Sequence, residues 1–310
     1  MFKDNFKYYK SRNPRPNLKN VIDLNNPDYN KVINFKEKLL DVQCEHELGL
    51  KSIKHWKVFE FLDIPGLIFI KNPFTTYGQR YWIIKCLKEY SKKPHKLNLH
   101  AHDILNDDEN WWDICFKNFD KGEINTKLIS KLRWATFGYH HNWDTKLYSE
   151  TCKTKIPIEL SLLTSFLAQT LGFKDFKAEA AIINYYRMNS TLAGHTDHSE
   201  LNVEAPLFSI SFGQTAIFLI GGLMQEDTTN AIFLRSGDII IMSGMSRLRY
   251  HGIPKILLTI DKPWDNEELN DDQCSRLNQN DWKKAKIYIS DARINMNVRQ
   301  VLKVGQFSLL

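Results

Sequence analysis

The sequence predicts an α+β protein whose core is all β, flanked by helices and preceded by a helical extension. Three observations carry that expectation. Before residue 178 the apolar residues recur at helical spacing, and after it short β-rich runs follow one another. These runs cover 180–187, 207–212, 215–220, 231–234, 238–242 and 286–290, and Gly213-Gln214, Gly221-Gly222, Ser236-Gly237 and Ser243-Gly244 punctuate them with turn chemistry. Residues 207–212 alternate Leu-Phe-Ser-Ile-Ser-Phe, so one face is buried and the other is smaller and more polar. Many short strands with tight turns read as an antiparallel barrel or a double-sheet jelly roll.

The elements follow in order. Phe2, Phe6 and Tyr9 fall at helical spacing until Pro14 and Pro16 break the pattern. A second helix is expected over residues 30–45, with Val32, Phe35, Leu39 and Val42 on one face. The body begins near Trp56 with strand-like runs at 58–61 and 66–70, and residues 77–90 and 160–171 read as amphipathic helices. The division is therefore an extension over residues 1–55 and a main body over 56–310, with the β core at about 178–303.

The 310 residues carry 42 Lys plus Arg and 36 Asp plus Glu, a net charge of +6. Residues 1–20 hold Lys3, Lys7, Lys10, Arg12, Arg15 and Lys19 against Asp4 alone, so the remainder is close to neutral and a uniformly basic polycation is excluded. Five scattered cysteines without a C-x-x-C pair argue for a reducing compartment and against a zinc finger. No apolar run approaches the length of a membrane span. The chain is expected inside the cell, in nucleus or cytoplasm with the mitochondrion open, and as a monomer.

The sharpest local feature is Gly194-His195-Thr196-Asp197-His198-Ser199-Glu200. On an extended segment His195 and Asp197 share a face while Thr196 turns away. His251, a short loop beyond 238–242, is the leading third ligand, and His198, His140 and His141 compete with it. Two histidines and one carboxylate make the facial triad of non-haem iron oxygenases, which leaves positions open for a co-substrate and dioxygen. A dicarboxylate co-substrate needs a cation. Arg293, Asn295, Asn297 and Arg299 stand at period two on one strand face, with Ile294, Met296 and Val298 on the other, and arginine's planar fork suits a carboxylate.

Asn184-Tyr185-Tyr186, His195-Thr196-Asp197, His251 and Arg293-x-Asn295-x-Asn297-x-Arg299 together resemble the AlkB family of Fe(II)/2-oxoglutarate dioxygenases. The likeness is nearest to its eukaryotic AlkB homologue 1 branch. Leu132-Arg133-Trp134, the string from Gly138 to Asp144, Ser211-Phe212-Gly213-Gln214, Ser236-Gly237-Asp238 and Val298-Arg299-Gln300-Val301-Leu302 extend the likeness over about residues 55–303. Asn297 departs from the family pattern, which has Thr there.

The resemblance implies a double-stranded β-helix. It implies iron on His195, Asp197 and His251, which are also the catalytic residues. It implies 2-oxoglutarate held by Asn184, Tyr186, Arg293, Asn295 and Arg299, with Tyr185 facing away. The reaction implied is oxidative demethylation or hydroxylation of a modified nucleic-acid base, releasing formaldehyde, succinate and carbon dioxide. tRNA 1-methyladenine and 5-methylcytosine are favoured, with DNA N6-methyladenine the other substrate. A flipped base needs aromatic neighbours, for which Trp134, Tyr139, His141 and Trp112 are the candidates. Phosphate contacts are expected from the lysines at 85–96, from 121–155 and from residues 1–20, whose removal should spare cofactor binding. A protein hydroxylase, or a non-catalytic nucleic-acid-binding module, is the alternative reading.

Overall fold

Alternating side chains over residues 292–299 give that strand two faces to bury in different surroundings, and the molecule is arranged around it. The computed structural model describes residues 1–43, 48–266 and 269–309. In chain order the first elements are α1 (Phe2–Lys10), β1 (Val32–Asn34), β2 (Lys57–Phe61), β3 (Ile64–Lys71), α2 (Thr76–Ile84) and β4 (Lys96–Leu97). The short helices α3 (Asn98–Ala101), α4 (Trp111–Cys115) and α5 (Thr126–Ile129) precede β5 (Trp134–Gly138) and α6 (Ile158–Thr170). The strands then run β6 (Ala180–Arg187), β7 (Leu192–His195), β8 (Leu207–Gly213), β9 (Thr215–Ile220), β10 (Asn230–Leu234), β11 (Ile239–Met242) and β12 (His251–Leu257). The helices α7 (Asp271–Arg276) and α8 (Gln279–Ile289) and the strand β13 (Ala292–Arg299) follow.

The larger sheet has the order β1-β2-β3-β11-β8-β13-β6-β5-β4 and the smaller β10-β9-β12-β7. Every pairing within the two sheets is antiparallel. Side chains of opposite parity on β13 and β6 go to opposite faces. Tyr185, Ile294, Met296 and Val298 pack under a helical layer that includes Trp82, Leu163 and Trp282. Tyr186 turns the other way, into the space between the sheets with Leu207, Ile240, Phe218 and Ile253. The result is a double-stranded β-helix with helices on the outside of the larger sheet.

Two expected elements are different. Residues 30–43 form no helix: Val32 pairs opposite Phe61 at the sheet edge, and Leu40 donates its N–H to the Thr170 carbonyl. Val32, Phe35 and Leu39 reach apolar surroundings from an extended chain, so their spacing of three and four imitates a helix. The last two residues of that expected helix, Cys44 and Glu45, lie outside the described residues. The expected strand at 286–290 is instead the end of α8. Asn278 caps this helix by accepting from the Asp281 N–H, and Asp281, Trp282, Ala285, Tyr288 and Ile289 form its buried face. The Ile-Tyr-Ile alternation that suggested a strand is too short a window to reveal the longer period.

The first twenty residues are part of the structure rather than a loose arm. Phe2, Tyr9 and Val21 pack on Ile217, Leu219 and Ala231, on the outer face of the smaller sheet. All six basic side chains of this segment are on the solvent side. Phe2 is only 3% exposed and lies behind the metal-site strands. A Cβ on Gly194 would fall 2.4 Å from its ring, which explains a glycine directly before His195. The expectation that residues 1–20 can be removed without touching the cofactor site is therefore corrected. Phe2→Ala should cost about 3 kcal/mol, from lost burial and the cavity left behind. A fall in melting temperature accompanied by weaker iron binding checks it.

The lysine-rich stretch at 85–96 also differs from expectation. Lys85 pairs with Glu159 at 2.7 Å, Lys88 with Asp281 at 2.7 Å, Lys92 with Glu89 at 2.6 Å and Lys93 with Asp107 at 2.7 Å. These four carboxylates neutralise the lysines by contact, and among the described residues only Lys96 of the five is outside such a pair. Nearby, burial and then His140 push His95 down to about 4, while burial and then Lys96 push His140 down to about 4. An unfolded histidine titrates near 6.5, so the unfolded chain takes up protons first as the pH falls. The two histidines should lower stability by about 4 kcal/mol between pH 7 and pH 5, of which protonation of Asp238, raised to about 7 by burial, offsets about 2 kcal/mol. Thermal melting at the two pH values tests this, and His95→Phe should show the smaller loss.

Candidate metal and co-substrate site

The two sheets bring together what the sequence keeps apart. β7 ends on His195, β12 begins on His251, and the two residues are register partners. Asp197 follows two residues after the end of β7. The ligand atoms of His195, Asp197 and His251 all lie within 4.8 Å of one another, so one ion can touch all three. Among the described residues no other cluster of this kind occurs. The competing candidates His140, His141 and His198 are outside it.

Both imidazoles are oriented by the backbone. His195 Nδ1 is 2.9 Å from the Ala193 carbonyl, and His251 Nδ1 is 3.0 Å from the Arg249 carbonyl. A carbonyl only accepts, so Nδ1 carries the proton in each ring and the Nε2 lone pair is left for a metal. Burial, and then the neighbouring His251, pushes His195 down to about 4, which keeps it neutral as a ligand must be. Burial opposes ionisation of Asp197, but Arg299 and His251 outweigh it and hold the carboxyl well below its usual range.

A buried ionic network fixes that carboxylate. Arg299 donates to Asp197 Oδ1 at 2.8 Å. Arg247, 1% exposed, donates to the Asp197 carbonyl at 2.7 Å, to Glu200 Oε2 at 2.9 Å and to the Ala205 carbonyl at 3.0 Å. Glu200 also accepts from the Tyr148 hydroxyl at 2.7 Å. Arg247, Tyr148 and Glu200 have no assigned role in the sequence reading. Glu200 stands in the same short string as His195, but nothing local marks it as the partner of an arginine 47 residues away.

The site opens into a cavity of about 460 Å³. Its lining includes Asn184, Tyr186, Arg293, Asn295, Asn297 and Arg299 beside the three metal-ligand candidates. Arg293 is 1% exposed and donates only to Ser211 Oγ, at 2.9 Å, while its Nε and Nη1 have no partner. Burial, with Tyr186 opposing, draws its guanidinium down to about 10, and burial raises the Tyr186 phenol to about 12. A buried cation with two unused donors on a cavity wall fits a carboxylate ligand. Asn297, at the family's Thr position, donates to Asn295 Oδ1 at 2.8 Å, and Asn295 donates to Ser209 Oγ at 2.9 Å. The amide therefore continues a hydrogen-bonded row along the cavity wall.

The proposed base-stacking residues divide. His141 lines the cavity, with Nε2 2.9 Å from Ser199 Oγ and Nδ1 buried without a partner. Trp134 is directly opposite Asn184 across β5 and β6 but is not part of the cavity lining, and its ring is 6.2 Å from that of Trp143. Trp143 also lines the cavity, 45% exposed and edge-on to His141 at 4.8 Å. The sequence reading passes over it although it stands two residues after His141. Trp112 and Tyr139 do not reach the cavity. Trp112 is packed in the helical layer against Phe116, 2% exposed. Tyr139 packs with Ala180, Val301 and Leu302 and donates its hydroxyl to Glu150 at 2.8 Å.

A jelly roll with a two-histidine, one-carboxylate cluster and an unpaired arginine facing one cavity defines an iron-dependent oxygenase of the 2-oxoglutarate type. The chain belongs to the 2OG-Fe(II) oxygenase superfamily, whose model matches residues 66–299, and within it to the AlkB homologue 1 branch. It is a dioxygenase that uses Fe(II), 2-oxoglutarate and O2. It is 38% identical to the human protein named nucleic acid dioxygenase ALKBH1, over 98% of this chain and 85% of that one. It is 30% identical to the Schizosaccharomyces pombe tRNA demethylase abh1, over 85% and 89% of the two chains. With the Arabidopsis thaliana DNA N(6)-methyladenine demethylase ALKBH1A the identity is 32%, over 76% and 75%. The solved structure of OsALKBH1 shares the fold, with a TM-score of 0.51 at 19% identity, over 76% of this chain and 97% of that one.

Proposed function

We propose that this dioxygenase oxidises modified bases in nucleic acid, with tRNA 1-methyladenine and 5-methylcytosine as first substrates and DNA N6-methyladenine as the other. The carrying observation is the cavity that runs from the His195–Asp197–His251 cluster to a rim bearing Trp143 and His141. At about 460 Å³ it is of the size that holds small ligands. Relatives named for action on tRNA and on DNA match most of the chain, which supports the class and leaves the particular base to experiment.

In this reading His195, Asp197 and His251 hold the iron. Arg293 takes one carboxylate of 2-oxoglutarate, with Asn184, Tyr186 and Asn295 completing its wall and Arg299 bracing Asp197. Bound together with O2, these cofactors supply the oxidation that turns an N-methyl into N-hydroxymethyl. One oxygen atom goes to the substrate and one to the succinate formed as 2-oxoglutarate loses carbon dioxide. The hydroxymethyl group then leaves as formaldehyde. The chain's own work is placement: Trp143 offers a ring to stack on an extruded base, and His141 packs edge-on against that ring and steadies it. The exposed basic face of residues 1–20 supplies phosphate contacts. No helix among the described residues is long and apolar enough to cross a membrane. The proposed setting is nucleus or cytoplasm, or the mitochondrion, and the proposed state a monomer.

The test measures formaldehyde and succinate from methylated stem-loop, single-stranded and duplex oligonucleotides, with a control lacking 2-oxoglutarate. Greatest turnover is expected on the 1-methyladenine stem-loop. Succinate without formaldehyde there, together with an oxidised product from the 5-methylcytosine oligonucleotide, would assign hydroxylation instead. Absence of turnover on every nucleic acid sinks the reading.

A further inference from the structure

A second cavity, of about 390 Å³, lies at the β1–β2–β3 edge of the larger sheet. It shares no lining residue with the first cavity. Lys57 and Lys71 both line the second cavity and are directly opposite one another on β2 and β3. Cross-strand partners have Cβ atoms about 5 Å apart on one face, and two like charges placed so repel.

Such a pair suits an anion, and the described residues supply only Asp238 and Asp23, which favour the Lys71 charge without pairing with it. Among the described residues neither ammonium has a hydrogen bond or a carboxylate within ion-pair distance. The neighbouring carboxylates are engaged elsewhere. Asp23 takes both arms of Arg235, at 2.8 and 2.9 Å. Asp238 accepts from the Asn72 and Arg235 N–H groups, at 3.2 and 2.7 Å. Glu37 lines the cavity too, but its carboxylate is turned towards Gly172. Burial and then Lys57 lower the Lys71 ammonium below its ordinary value, with Asp238 and Asp23 opposing. The walls add Trp56 and the ring of Tyr29, which is 60% exposed.

We propose that Lys57 and Lys71 form a phosphate-binding site, separate from the metal centre, that grips a nucleotide phosphate between two lysine point charges beside aromatic walls. Lysine ammoniums suit a phosphate as point charges, and aromatic rings accept the attached base or sugar without regard to sequence. The source favoured is the backbone of the nucleic-acid substrate, and that part rests on the reading above. A polynucleotide is long enough to reach from one cavity to the other, so the site would anchor the strand away from the modified base.

The experiment compares the wild-type chain with the Lys57→Gln/Lys71→Gln double variant, using millimolar inorganic phosphate, adenosine monophosphate and a methylated RNA stem-loop as probes. Phosphate and adenosine monophosphate should raise the melting temperature of the wild type but not of the double variant. RNA affinity should fall about tenfold in the variant, with the slope of log affinity against log salt smaller by one to two units. Turnover at saturating RNA should be unchanged, since neither lysine touches the metal site. A mononucleotide response without a change in RNA affinity would assign the site to free nucleotides. No wild-type response to any probe, or the same response in the variant, overturns the site. Failure of the nucleic-acid reading shows separately, as absence of wild-type turnover on RNA with the lysines intact.

Discussion

Replacing Arg293 by leucine should raise the KM for 2-oxoglutarate by at least about a hundredfold while leaving the cofactor-free chain as stable as before, or more so. The two halves of this result come from one fact. Arg293 is almost completely buried, has Ser211 as its one hydrogen-bond partner, and carries two donor nitrogens with none. A buried charge in that condition is a cost to the folded chain, offset in part by the Tyr186 ring 5.6 Å away. When a carboxylate arrives, the same charge becomes a charge-assisted pair, and truncating one partner of such a pair costs about 2–5 kcal/mol of binding. Arg293→Lys keeps the charge but loses the planar fork, so its KM should lie between those of wild type and leucine variant. Titration of turnover with 2-oxoglutarate and melting without it check both halves. A leucine variant with wild-type KM would remove Arg293 from the co-substrate site.

Asp197→Ala should be more damaging still, because the residue serves two structures at once. It is the anionic member of the proposed iron-binding triad, so turnover should drop below about a thousandth of wild type with loss of bound iron. It is also the partner of Arg299, which is 7% exposed in its side chain and holds the carboxylate at 2.8 Å. Breaking a buried pair by removing one partner costs about 3–5 kcal/mol, so the alanine variant should melt markedly earlier even without metal. His195→Ala should match it in lost turnover but not in lost stability, since His195 has only a backbone carbonyl as partner. Iron content, turnover and metal-free melting on the two variants separate the roles. Equal melting of both would show that Arg299 finds another anion, with Glu200, 3.7 Å away, the nearest.

What was legible in the sequence follows from periodicity over short range. The β6, β8, β9 and β13 strands carry enough consecutive residues for their two faces to be read directly, and the period-two placement of Arg293, Asn295, Asn297 and Arg299 is of the same kind. The triad was half legible, since His195 and Asp197 are local whereas His251 meets them only through pairing of β7 with β12. Pairing across distance is what the sequence conceals. It hid the Arg247–Glu200–Tyr148 network, the cancellation of the lysines at 85–96 by Glu159, Asp281 and Asp107, and the burial of Trp112. Residues 30–43 failed for a related reason: a sheet edge can bury every third or fourth residue of an extended chain, and spacing alone does not distinguish it from a helix.

Phe2 has one further consequence, which concerns time rather than space. It packs against Gly194 and Gly221 and stacks near Tyr250, at a ring separation of 5.9 Å, so residue 2 cannot settle until residues beyond 250 exist. During synthesis the first helix must wait, with Phe2, Phe6 and Tyr9 uncovered, for most of the chain to be made. Contacts of such long separation slow folding, because the loop they close must be ordered before they return anything. The metal cluster, assembled from strands that this helix covers, is therefore expected among the last parts of the molecule to acquire its final geometry.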